Sequence, residues 1–370
     1  MKLIIHIGAE KTGSTSIQRY LQENKKKLNK QSIGFLTSPG RFNSRKLPVY
    51  CMDVNRNDLF TRSYSLETEP KRRIWREKFL QTVSKELARK TKKFNKIIIS
   101  SEHFHSRLNS AEEITRLKDL VSPYVDEIQI IVYLRRQDRL AVSLHSTRCR
   151  EMWSSAEIIP NNFNAESLYY NYNNLLEEWE KVFGKTNISV RLFDALKKQG
   201  RSLIDDFTEA AAISRLPDET VPKVMNQKLT SQARDTVIWF NKHFQNQTAY
   251  ERAFKKYLLN ELESIYTGNE ALPSRSQANV FYSHFQESNT LLAKRYFNSN
   301  SLFDEDFERY PEVLPERLSV DEISRNVVNA SVTFKKQFIL LPKFQSLFSW
   351  YYIYLKLPSK ARGLIDRFIR

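Results

Sequence analysis

KLIIHIG at 2–8, then AEKTGSTS at 9–16, then a run in which Ile17, Tyr20, Leu21 and Leu28 recur at helical spacing: this opening decides the fold. The apolar run ending at Gly8 reads as a buried parallel strand. Gly13 permits a tight turn and lets a ligand approach the backbone. Ser14, Thr15 and Ser16 open a helix whose inward face is the apolar stripe. Strand, glycine loop and helix start together form an anion cradle, because unpaired N–H groups and the positive end of the helix dipole point the same way.

The loop is near a Walker A motif without being one. Gly8 and Gly13 have its spacing, but Ser14 and Thr15 stand where the motif places lysine and a hydroxyl residue, and the lysine lies inside the loop as Lys11. A nucleotide with a shorter phosphate chain suits this loop better than ATP with magnesium. KTGSTS at 11–16 resembles the 5′-phosphosulfate loop of sulfotransferases that use 3′-phosphoadenosine 5′-phosphosulfate (PAPS), with Glu10 in place of the usual proline. The resemblance implies that Lys11, Thr12, Gly13, Ser14, Thr15 and Ser16 hold the nucleotide.

YLRRQDRLAVSLHS at 133–146 carries a second feature, Arg135 at a strand end and Ser143 eight residues on in the following helix. An arginine fork and a hydroxyl suit a phosphate monoester. The pair is similar to the family's 3′-phosphate motif, although Arg136–Gln137 replaces its asparagine–proline.

KIIISSEHF at 96–104 is read as a second strand running into a polar end, IQIIVYLRR at 128–136 as a third and ISVRLFD at 188–194 as a fourth, with helical patterns between them. That alternation predicts an α/β fold: a P-loop-like parallel sheet flanked by helices, with ligands at the carboxyl ends of the strands. Helices are expected over 70–94, 110–121, from about 138, and over 166–183, 200–213, 228–243, 250–265 and 276–297, giving a mainly helical C-terminal half. The stretch 38–60 is rich in turn formers and reads as a long loop. A catalytic domain is drawn at 1–331 and a basic, aromatic tail at 332–370.

Transfer of a sulfuryl group to a hydroxyl needs a base for the acceptor proton and cations near the leaving phosphate. Glu102 and His103, in SSEHFH, are the candidate bases. Glutamate serves in related glycan enzymes and histidine in cytosolic ones. Glu10 and His105 are lesser candidates, and Lys11 is the electrostatic partner. Strand alternation would turn Glu102 and His103 to opposite faces. His6, inside the first strand, reads as a core residue. Gln18 and Asn289 resemble family positions without an assigned role.

The chain of 370 residues has a formal net charge of +17 and 41% hydrophobic residues, so it is globular and suits an anionic partner. The helix over 70–94 is crowded with basic residues from Lys71 to Lys93, a solvated face or a dock for an acidic acceptor. Two cysteines and six histidines show neither a disulfide framework nor metal-ligand spacing, and no metal is expected. The first strand begins at Lys2 and no apolar run nears the ~18 residues of a membrane span, so the expected location is the cytoplasm. The expected activity is PAPS-dependent sulfation of a hydroxyl acceptor, a carbohydrate by resemblance. A P-loop kinase or NTPase is disfavoured by the missing lysine. A non-catalytic polyanion binder is permitted by charge, but no nucleic-acid-binding pattern is present. The tail is expected to meet a membrane surface or a partner protein.

Overall fold

The computed structural model of the chain describes residues 1–40, 43–216, 219–221, 229–245 and 248–338. In chain order the elements are β1 (Lys2–His6), α1 (Ser14–Glu23), α2 (Lys25–Lys30), β2 (Ile33–Phe35), α3 (Lys46–Cys51), α4 (Leu59–Ser63), α5 (Glu69–Thr91), β3 (Lys96–Ser100), α6 (His103–Arg107), α7 (Ala111–Val121), β4 (Glu127–Leu134) and α8 (Gln137–Glu151). There follow α9 (Tyr172–Phe183), β5 (Ile188–Leu192), α10 (Phe193–Lys198), α11 (Leu203–Ala210), α12 (Ser231–His243), α13 (Ala249–Ile265), α14 (Arg275–Ser283), α15 (Gln286–Phe297) and α16 (Val320–Phe338). They fall into two compact units: the described residues of 1–140, 163–224 and 282–305, and those of 141–162, 225–281 and 306–370.

The first unit is the expected α/β body. Its five strands are all parallel, in the order β2-β3-β1-β4-β5. Period-2 alternation sorts their side chains. Ile4, Ile98, Ile131 and Tyr133 face a cluster with Ile17, Tyr20 and Leu21 of α1, Leu28 of α2 and Phe207 of α11. The alternate residues Leu3, Ile5, Ile97, Ile99, Ile130 and Val132 are buried just as completely. Burial of both faces is why these strands read as continuous apolar runs rather than as alternating ones. Near-complete burial of each such side chain contributes about 1.5–3 kcal/mol before conformational entropy is counted.

His6 is a core residue, as expected. It is fully buried, its Nδ1 lies 2.8 Å from Ser100 Oγ, and burial lowers its pKa to about 3.

Several boundaries differ from the expectation. The second expected strand stops at Ser100, and the chain turns at Ser101 and Glu102 into α6. Helix α9 starts at Tyr172 rather than 166, because Asn171 caps it by accepting the Asn174 N–H at 3.1 Å. Helix 276–297 is two helices, α14 and α15, parted around the buried Phe285. The long loop contains α3 and α4, the latter held by a reciprocal Asp58–Thr61 cap.

The second unit is helical. Phe240 and Phe244 of α12, Phe254, Leu258 and Leu262 of α13, and Val327, Val328 and Phe334 of α16 form its core. Helix α16 runs continuously through position 331, where composition had placed the start of a tail. The remainder of that tail, 339–370, lies outside the described residues. Among the described residues no helix is long and apolar enough to cross a membrane.

Candidate functional site

Chain order along β1 dictates the loop. The Ala9 N–H donates to Tyr133 O at 2.8 Å, and the Tyr133 N–H donates to Gly8 O at 2.6 Å, so β4 carries the pairing past the end of β1. The loop then folds back on Ala9, whose carbonyl accepts from Thr12 Oγ1 at 2.7 Å and from Ser14 Oγ at 3.4 Å. Lys11 has φ 61° and Gly13 φ 83°, both left-handed. At Gly13 the conformation and the surroundings agree: a Cβ there would lie 2.3 Å from Leu203 Cδ2. Gly13 is the N-cap of α1, its carbonyl accepts the N–H groups of Ser16 and Ile17, and no side chain caps the helix. The Ser14 and Thr15 amides therefore have no intrahelical acceptor, which is the arrangement that takes an oxyanion.

Arg135 is brought to this loop. Its Nη1 donates to Lys11 O at 3.0 Å, its Nε is buried without a hydrogen-bond partner 3.6 Å from Asp194 Oδ1, and its guanidinium lies over the Phe193 ring. The adjoining Arg136 is different. Fully buried, it is paired bidentately with Asp138 and also bonds Asp304, which makes it a structural residue. Gln137 and Asn289 form a buried reciprocal amide pair at 2.8 and 3.2 Å, which gives Asn289 a packing role. Ser143 lies half-buried within α8, in the part of that helix that falls in the second unit.

The second part of the site stands where β3 ends. A Cβ on Gly8 would sit 3.1 Å from Glu102 Cα, so this turn abuts the phosphate loop. Glu102 Oε2 accepts from Gln18 Nε2 of α1 at 2.7 Å. Glu102 and His103 do not point to opposite faces, because the strand has already ended. His103 Nε2 lies 3.9 Å from Glu102 Oε1, and His103 Nδ1, buried and without a hydrogen-bond partner, lies 3.9 Å from Glu10 Oε1. An imidazole is thus bracketed by two carboxylates. Burial and then the Arg107 charge lower the His103 pKa, outweighing the opposite pull of Glu102.

Glu10 is firmly held. Tyr169 Oη donates to it at 2.8 Å and Arg107 Nη1 at 3.2 Å. Burial pushes its pKa up, but the hydrogen bonds of Ser106 and Tyr169 and the Arg107 charge prevail, so the net shift is downward. Arg107 is itself anchored by Asp58 at 3.1 Å, which Arg45 also approaches at 3.4 Å. His105 is excluded as a base by its bonding. Its Nδ1 accepts the Glu10 backbone N–H at 3.3 Å, so the ring proton sits on Nε2 and is donated to Tyr169 O at 3.0 Å. Burial lowers its pKa to about 4. Arg107, Tyr169, Asp58 and Arg45 were not legible in the sequence: they come from a turn-rich loop, a short helix and a segment that read as helical. Among the described residues no group of three His, Cys, Asp or Glu is placed to hold a metal ion.

No protein-family model matches this chain, and no curated protein matches it. Among solved structures it resembles a sulfotransferase from Alicyclobacillus acidocaldarius, at 17% identity and a TM-score of 0.34 over 60% of this chain and 86% of that one. A likeness that distant bears on neither activity nor substrate.

Proposed function

We propose that this protein is a PAPS-dependent sulfotransferase acting on a hydroxyl of a carbohydrate. The observation that carries this reading is the juxtaposition, at the carboxyl ends of the interior strands, of an uncapped α1 start, an arginine fastened to the same loop, and a glutamate–imidazole pair against Gly8. These residues fit the nucleotide: the Gly13–Ser16 amides and hydroxyls would hold the 5′-phosphate, and the Arg135 fork the 3′-phosphate. PAPS supplies an activated sulfuryl group on a phosphate leaving group. Lys11 offers positive charge beside that phosphate. Glu102, with one oxygen fixed by Gln18 and the other open towards His103, takes the proton of the acceptor hydroxyl. His103 orients Glu102, and the downward shift of its pKa keeps the ring neutral. The carbohydrate acceptor rests on the family resemblance and the net charge of +17.

Transfer of label from [35S]PAPS to a panel of oligosaccharides tests this. Glu102→Gln should lower turnover by about 10²–10⁴-fold with nucleotide affinity nearly unchanged. Near-normal turnover in Glu102→Gln with loss in His103→Ala would move the base to His103, and no transfer to any hydroxyl acceptor would refute the assignment.

A further inference from the structure

The second unit encloses a partly open cavity of about 200 Å³ that the proposed chemistry does not use. Two helices begin on it. Ser231 and Arg234 stand in the first turn of α12, and Gln277 stands in the first turn of α14. Helix starts favour anions, and here two of them share one space. Each start has one amide taken by its cap, Ala233 in α12 and Gln277 in α14, whose N–H goes to Ser274 Oγ at 3.2 Å. Thr230 caps α12 by accepting the Ala233 N–H, while Gln277 Oε1 accepts the Ser274 N–H at 3.0 Å and leaves its own Nε2 amide available.

Arg234 is the principal group. It is 8% exposed, and it bonds Asp235 through Nε at 3.1 Å and Nη2 at 2.9 Å. The second Asp235 oxygen is taken by the Leu318 N–H at 3.3 Å. Arg234 Nη1 makes no hydrogen bond among the described residues, so the Asp235-paired guanidinium keeps one donor free on a residue that lines the cavity. Arg317 also lines the cavity, exposed and without an ion pair among the described residues. The one acidic lining residue, Glu157, accepts a hydrogen bond from Asn161. Ile158, Leu272, Pro273, Leu314 and Pro315 supply apolar wall.

Two guanidinium groups, a few uncharged polar groups and an apolar wall within so small a volume fit one six-membered ring bearing a negative group. We propose that this cavity binds an acidic sugar unit, carrying a carboxylate or a sulfate ester, with the oxyanion on Arg234 and Arg317 and the C–H face of the ring against Pro273 and Pro315. The site stands on the second unit alone and does not depend on the nucleotide reading.

The test is titration of the full chain with glucuronate, glucose 6-sulfate, glucose and inorganic sulfate, followed by calorimetry and ligand-observed NMR. Saturable binding of glucuronate or glucose 6-sulfate is expected, with glucose and inorganic sulfate weaker by about tenfold or more, and the better of the two acids identifies the oxyanion. Arg317→Glu, at an exposed position, should weaken that binding by at least about tenfold, since it reverses a charge. Leu272→Trp should abolish it by filling the space, while binding of adenosine 3′,5′-bisphosphate persists in both variants. Equal binding of glucose, equal binding of inorganic sulfate, no binding of either acid, or full affinity in Arg317→Glu would each overturn the proposal.

Discussion

Gly13 shows how much one residue can decide. Its left-handed φ lets α1 start immediately after the loop, and its missing side chain leaves room for Leu203. Gly13→Ala should therefore lower stability by on the order of 2 kcal/mol and weaken nucleotide binding, since strain and overlap act together. A thermal midpoint and bisphosphate affinity equal to wild type would show that the loop yields freely. Glu10 stands where the sulfotransferase motif that this loop resembles has proline. A proline there could not donate the N–H that fixes the His105 tautomer, so the substitution ties the loop to α6. The sequence marked Glu102 and His103 as alternatives on opposite faces. Their actual closeness follows from two residues of turn after Ser100, a detail that alternation along a strand cannot reveal.

At the scale of elements, α5 is the most instructive. Its basic residues read as one solvated or docking face, yet they divide. Arg72 is fully buried and bonds Leu66 O, Asp53 O, Arg56 O and Asn57 Oδ1, and Arg76 bonds Met52 O, so both stitch the 52–66 segment to the helix. Lys85 and Arg89, with Lys92 and Lys93 just beyond the helix, remain exposed. The clue was periodicity: Arg72 lies seven residues before Phe79 and shares its buried stripe. Arg72→Met should destabilise the protein by on the order of 3 kcal/mol, because buried carbonyls lose their donor, and should open 52–66 to protease. Unchanged stability and protease resistance would contradict this role. The strand–loop–helix opening, the parallel strands β1, β3, β4 and β5, and the long α5 were legible because propensity and periodicity agreed there. Strand β2 was not, since Ile33, Gly34 and Phe35 are too short for a period, and Gly34 is set by contact with Phe94, against which a Cβ would lie at 2.4 Å.

For the whole molecule, three buried histidines set a pH dependence. Burial lowers His6 to about 3, and His105 and His145 to about 4. The unfolded chain takes up these protons near pH 6.5 while the folded chain does not, so stability is full above pH 6.5 and falls as pH drops towards 4. Each group should contribute a slope of about 1.4 kcal/mol per pH unit inside that window. Denaturant midpoints measured from pH 8 to 4.5 check this, and a flat profile would show that these rings charge within the fold. The two units and the cavity of the second were invisible beforehand, because they depend on contacts between segments far apart in sequence. The cradle of the first unit is probed by calorimetric comparison of adenosine 3′,5′-bisphosphate with AMP. The predicted result is much tighter binding of the bisphosphate, with Arg135→Ala removing the preference at a cost of about 1.5–3 kcal/mol, roughly ten- to hundredfold in Kd. Equal affinity of the wild-type protein for AMP and the bisphosphate would contradict it.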